Sequence, residues 1–265
     1  MKNKVYLHVY KTQLIRSFTY KFEVYGNILI QTIIMLANAF FWRALFKNTD
    51  TIKGVNVDTM LTYTVVSSLI SVVLTTTVER RIQDSVKKGT VAIDYIRPVN
   101  IYKVYFAENL ANITGLAFQN LLPIFIIGSL IIKIPKPASL LAFVLFLLSL
   151  CLAFALNWLI AVCFGMWAFW VLEIDAMLQA KKHLIRLLSG SLIPIWFFPG
   201  WLKGILQGLP FMYLYQLPLD LFIGKTTGKE SLQGFMVQLL WLVIMFVFYT
   251  FLKSKVKHKI VVQGG

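Results

Sequence analysis

Long apolar runs alternate with short charged ones along this chain, and most of the runs have the length of a bilayer-crossing helix. Residues 27–46 (NILIQTIIMLANAFFWRALF) form the first and residues 59–78 (TMLTYTVVSSLISVVLTTTV) the second. A third extends from about Val104 to Ile132, with Pro123 inside it as a kink point, and the last (FMVQLLWLVIMFVFYTFL) covers 235–252. About 20 residues rising about 1.5 Å each cover roughly 30 Å of hydrocarbon. Between the third and last runs the pattern loosens. Residues 138–172 are uncharged, and they divide into a fourth span over 138–163 and an aromatic, interfacial end, GMWAFWVL. A fifth segment begins near Leu184 and is interrupted by Pro194 and Pro199. From 199 to 222 the chain stays apolar but is broken by Gly200, Gly204, Gly208, Pro210 and Pro218. Irregular backbone at membrane depth must be covered by protein or line a cavity, which predicts a re-entrant hairpin.

The polar intervals carry pattern too. Over residues 1–26, Leu7, Tyr10, Leu14, Phe18 and Phe22 recur every three or four positions, predicting an amphipathic helix in the membrane interface. After the second span comes ERRIQDSVKKGTVAIDYIRPVN, twenty-two residues with five bases and three acids. Ile82 and Val86 share a helix side, Gly89 offers a stop, and Thr90 can cap a second short helix presenting Val91, Ile93, Tyr95 and Ile96 before Arg97 and Pro98 end it. Two short helices with a tight break make a stiff knob, suited to passing force from a soluble partner. The plainer alternative is a basic loop touching lipid headgroups.

Composition fixes the class. With 58% apolar and 14% charged residues and a mean hydropathy of +0.73, the chain has too little polar surface for a soluble globule. The reading is an all-α integral membrane protein, one transmembrane domain over 1–265, with six transmembrane helices, an amino-terminal interface helix (1–26), a charged loop (79–103) and a re-entrant hairpin (199–222) before the last span. The opening residues lack an uninterrupted apolar core and a cleavage site, so insertion is expected to rely on the spans themselves. With both termini inside, 18 of the 26 Lys and Arg fall on the cytoplasmic side, which favours that orientation.

Chemistry is sparse. His8, His183 and His258 are far apart, Cys151 and Cys163 sit too far apart on one helix to bridge, and Glu173 and Asp175 read as a loop pair. GKTTGK (224–229) fits GxxxxGK[ST] in neither register and reads as a polar turn. No catalytic, metal or cofactor site is expected in this chain, and nothing suggests nucleic acid. Ser67, Ser71 and Thr75 belong to a hydroxyl-rich face of the second span, readable as close helix packing or as the wall of a path for an amphiphile. Gln31, Asn38, Asn112, Gln119, Asn120 and Asn157 read as interhelical hydrogen-bonders, and Glu108 as a partner for Lys103 or Arg97. Gly200, Gly204 and Gly208, spaced by four, form a stripe on which another backbone can sit closely.

This order of elements, with the loop motif I..SVKKGTVAIDYIRPVN, the stretch LLSGSLIPIWFFPGWLKGILQGLPFMYLYQLPLDLFIGK and the terminal QGG, resembles the permease subunits of ATP-binding-cassette transporters of the type-2 exporter class. The resemblance implies a multi-pass subunit of a bacterial inner membrane. It implies a second permease, identical or homologous, and two cytosolic ATPase subunits that bind ATP and Mg. It also implies that residues 82–98 form a coupling element, with Gly89, Arg97 and Pro98 at the matching positions, and that the cargo is a hydrophobic or amphipathic drug, peptide or lipid-like molecule leaving the cell. An ion-coupled secondary transporter or a channel subunit is the alternative, but it would call for charges or paired broken helices within the membrane.

Overall fold

The computed structural model describes residues 2–19, 21–96, 98–131 and 136–263. Five helical stretches among them are long and apolar enough to cross a membrane: Ile28–Leu45, Val57–Lys87, Ile101–Leu130, Leu140–Val171 and Gly228–Lys259. They comprise α2 (Lys21–Leu45), α3 (Val57–Val73) continuing through a break into α4 (Val78–Lys87), α6 (Ile101–Leu116) running through a π turn into α7 (Leu122–Ile131), α8 (Leu140–Met166) with its short extension α9 (Ala168–Val171), and α13 (Gly228–Gln263). Between α4 and α6 lies α5 (Val91–Ile96), and the chain opens with α1 (Lys2–Ser17). A two-residue ribbon, β1 (Thr51–Ile52) against β2 (Val55–Asn56), closes the turn from α2 to α3. Asn56 then caps α3 by accepting from the amide of Thr59.

The π turn at Ala117–Leu121 stands just before Pro123. A proline lacks an amide hydrogen and crowds the carbonyl one turn earlier, and widening that turn relieves the clash without ending the helix. The third span thus survives its proline, and its last predicted residue, Ile132, lies outside the described residues.

The fifth predicted span is not a continuous helix. Its region is divided among α10 (Asp175–Leu188), a 3₁₀ turn at Ile195–Phe197, α11 (Gly200–Gln207) and α12 (Met212–Phe222). Gly190 at φ +83° ends α10 in a conformation that side chains disfavour, and Pro194 and Pro199 each precede a fresh helical start. Though short, α12 lies at the centre: every residue from Tyr213 to Phe222 is buried, inside a core shared with Trp42, Met60, Phe146 and Leu156. Gln216 organises the breaks around it. Its Oε1 accepts from the Tyr63 hydroxyl (3.0 Å) and the Ile195 amide (2.8 Å), while its Nε2 donates to Asp220 (2.7 Å). Tyr63 also donates to the Gly190 carbonyl at 2.6 Å. These contacts satisfy backbone groups that a broken helix leaves open.

The amino-terminal helix forms, but its contact face differs from the apolar stripe. α1 lies lengthwise along α6: the Asn100 amide donates to Tyr6, Gln13 donates to Asn112, and Gln119 donates to the Ser17 carbonyl. Tyr10 and Leu14 belong to the covered side, whereas Leu7 (54% exposed) and Phe18 (45%) do not. Periodicity scored only apolar positions, and the seam is set by Tyr6, Gln13 and Ser17, whose polar groups find partners on α6.

Candidate functional site

At the α4–α5 end of the bundle the two-helix knob is present. α4 stops at Lys88, Gly89 takes φ +68°, and α5 follows. The hydroxyl of Thr90 donates back toward the Ser85 carbonyl at 3.4 Å, tightening the break from the α4 side.

The knob is seated rather than suspended. Ile82 is 2% exposed and reaches α8 at Gly165, where an added Cβ would stand 2.8 Å from Ile82 Cδ1 and 3.0 Å from the Glu79 Cα. Val86, Val91 and Tyr95 pack against the same cluster, which includes Tyr102, Val162, Met166 and Tyr249. Tyr95 meets Tyr102 hydroxyl to hydroxyl at 2.7 Å. Burial raises the Tyr95 phenol above its ordinary pKa, with the Tyr102 hydrogen bond acting the other way, so it remains a neutral hydroxyl at physiological pH. Of the predicted coupling residues, Ile82, Val86, Val91 and Tyr95 therefore turn toward the bundle. Ile93 (57% exposed), Gly89 and Pro98 face outward, joined by Ile96 at 84%. Arg97 lies outside the described residues.

Polar links reinforce the seat. Arg81 pairs with Glu108 at 3.1 Å, a base other than the expected Lys103 or Arg97, the latter lying outside the described residues. Lys87 pairs with Glu173 at 3.0 Å, and Gln83 donates to Asp175. Glu173 and Asp175 thus brace the knob against the start of α10. The most enclosed link is Lys181 of α10 with Glu79 of α4, which are 8% and 4% exposed, with Thr76 donating to the same carboxylate. No sequence motif marks this pair. A buried charge on each of two helices is legible only once their faces are known.

The break between α3 and α4 is closed by asparagines. Asn157 donates to the Leu74 carbonyl (2.6 Å), Asn109 accepts from the Thr77 amide, and Asn112 donates to the Thr77 hydroxyl. Three of the six polar residues expected to bond between helices do so: Asn112, Gln119 and Asn157. The other three, Gln31, Asn38 and Asn120, line a cavity of about 650 Å³. Ser67, Ser71 and Thr75 line it too, with Thr64, Ser68 and Thr76, and it is continued toward the knob by Glu79, Arg80, Lys181, Lys182 and Arg186. The hydroxyl face of α3 is thus a cavity wall. Among these hydroxyls Ser67 donates to the Ser191 carbonyl and Thr76 to Glu79 of α4.

Among the described residues the glycine stripe of α11 packs against no other element. No atom lies within 4 Å of a Cβ placed at Gly200 or Gly204, and Gly208 meets only the Ile205 carbonyl of its own turn, at 3.4 Å. GKTTGK falls in the turn from α12 to α13, where Gly224 has φ +73°, the Lys225 amide bonds to the Asp220 carbonyl, and the Lys225 ammonium sits 4.5 Å from the Trp196 ring centre.

No curated protein matches the chain. A family model described as "ABC-2 family transporter protein" matches residues 32–261, from the middle of α2 nearly to the end of α13, including the knob and most of the cavity lining. A helical membrane protein with that match is a permease component, and the chain belongs to the ABC-2 transporter family.

Proposed function

We propose that the chain is the membrane-spanning half of an exporter, driven by a separate ATPase that docks on the exposed tip of the knob. ATP and Mg would be bound by that subunit and none by this chain. The observation that carries this reading is the division of the α4–α5 knob: one side is locked into α8 and α10, while Gly89, Ile93, Ile96 and Pro98 face outward. An apolar tip on a rigid seat can pass displacement into the spans, where a flexible loop would absorb it. The charge bias supports a cytoplasmic position for this end and both termini, and the resemblance to exporter permeases supports a bacterial inner membrane. In this reading α10 and the turn after it make the fifth crossing, α11 and α12 form the re-entrant pair within 199–222, and α1 is the interface helix. The open stripe of Gly200, Gly204 and Gly208 would meet a second permease, identical or homologous. The cavity along α3 would accept a hydrophobic or amphipathic cargo from the lipid.

Ile93→Asp with Ile96→Asp tests the docking. Affinity purification of the chain from its own cells in neutral detergent is expected to recover ATP hydrolysis with the native sequence and at most about a tenth of it with the double variant, since two buried carboxylates cost several kcal/mol at an apolar contact. Equal recovery at equal membrane insertion would overturn the assignment. Val86, which faces the bundle, is the less direct probe because its replacement disturbs the seat itself.

A further inference from the structure

The cavity has two chemically different parts. Along α3 the hydroxyls of Thr64, Ser68, Ser71 and Thr75 donate to carbonyls of their own helix, at Met60, Thr64, Ser68 and Ser71. Their protons are used, so they offer the cavity lone pairs. Asn120 adds to this wall: it is 4% exposed, and its Oδ1 has no partner among the described residues. Such a wall suits apolar groups and hydrogen-bond donors, and it disfavours an anion.

The α4–α10 end is the opposite. Arg80, Lys182 and Arg186 line the same cavity, and among the described residues none of the three has a salt-bridge partner. The lining holds one carboxylate, Glu79, and Lys181 already neutralises it. Three positive charges without a salt-bridge partner therefore line one open cavity, Arg80 and Lys182 exposed at its surface and Arg186 half-buried, and a cleft of one charge sign with low-dielectric walls focuses such a field. Basic residues are ordinary on the cytoplasmic flank of a span, but that tendency does not require charges from two separate helices to line one cavity.

We propose that this end binds the anionic head, phosphate or carboxylate, of an amphiphilic cargo whose apolar part lies deeper, against Ile34 and Leu116. The proposal rests on the permease reading and narrows its cargo to negatively charged amphiphiles entering head-last from the cytoplasmic side.

Equilibrium binding of radiolabelled dodecyl phosphate to the purified full chain in a neutral maltoside detergent tests it. Saturable binding is expected, weakened about tenfold or more by Lys182→Gln with Arg186→Gln, and also weakened by Arg80→Gln from the other helix. Lys255→Gln with Lys257→Gln removes the same charge from the end of α13, away from the cavity lining, and is expected to change binding by less than about twofold. Inorganic phosphate in large excess is expected to compete poorly. Equal effects of the two double variants would mean diffuse membrane-face attraction, and full competition by inorganic phosphate would mean a simple anion site; either result overturns the proposal. The measurement needs no ATPase. A chain that recovers its ATPase yet binds dodecyl phosphate indifferently to Arg80, Lys182 and Arg186 would therefore sink this inference alone. Failure to recover ATPase would sink the exporter reading and leave the binding result standing.

Discussion

Glu79→Leu is expected to destabilise the protein by about 3 kcal/mol, and Lys181→Met in the same chain to return most of that loss. Lys181 and Glu79 are each less than a tenth exposed, and they face each other across α10 and α4. Deleting the carboxylate strands an ammonium beside the Phe164 ring, where the remaining partner is a weak cation–π contact at 5.9 Å. Both residues line the cavity, and solvent reaching the stranded charge there would hold the penalty to the lower part of the range for a broken buried pair. Replacing both groups removes the stranded charge and leaves two apolar side chains of similar volume, a change that is often close to neutral. Thermal unfolding of the purified chain in detergent, read as a double-mutant cycle, measures the coupling. Additive effects of the two substitutions would show that the pair does not fasten α4 to α10.

The contrast between that pair and the spans shows what one sequence can and cannot display. Apolar runs announce helices because lipid demands intrahelical bonding over a fixed length, so five of the six predicted spans emerge close to their expected places. The knob was legible for a similar local reason: Gly89 and the change of pattern around it are contained in a dozen residues. What was not legible depends on which way a face turns. Ile82 and Ile93 look alike in a string of alternating apolar and charged residues, yet one fills the space at Gly165 and the other faces outward. The hydroxyls of α3 could have met another helix or a void, and only the placement of α2, α8 and α10 decides it. Gln216 and Asp220 carry no local signal because they occupy a short helix that composition alone marks as irregular. The break at Gly190 that Gln216 repairs involves a contact twenty-six residues distant in the chain.

Gly165→Leu is expected to separate docking from transmission. Even a single Cβ there would stand 3.0 Å from the Glu79 Cα, a backbone atom that no rotamer change can move, and 2.8 Å from Ile82 Cδ1. The remaining carbons of leucine must push α4 off α8, an overpacking cost of about 1–3 kcal/mol. The outward side of the knob, with Ile93 and Ile96, is not touched by the substitution. The ATPase should therefore still copurify, while the seat through which its movement reaches α8 is loosened. Ile82→Ala attacks the same seat from the other side by opening a void, at about 2–4 kcal/mol. Combining Ile82→Ala with the smaller Gly165→Ala fills part of that void, yet the Glu79 backbone still crowds the new methyl, so partial recovery of thermal stability is expected. An independent measure is a cysteine pair placed across α4 and α8 at Ile82 and Gly165: crosslinking locks the knob to the bundle, and in the coupled exporter it should preserve ATPase association. If Gly165→Leu removed the ATPase as completely as Ile93→Asp with Ile96→Asp, docking and seating would be one surface. The division of the knob into a fixed side and a working side would then be wrong.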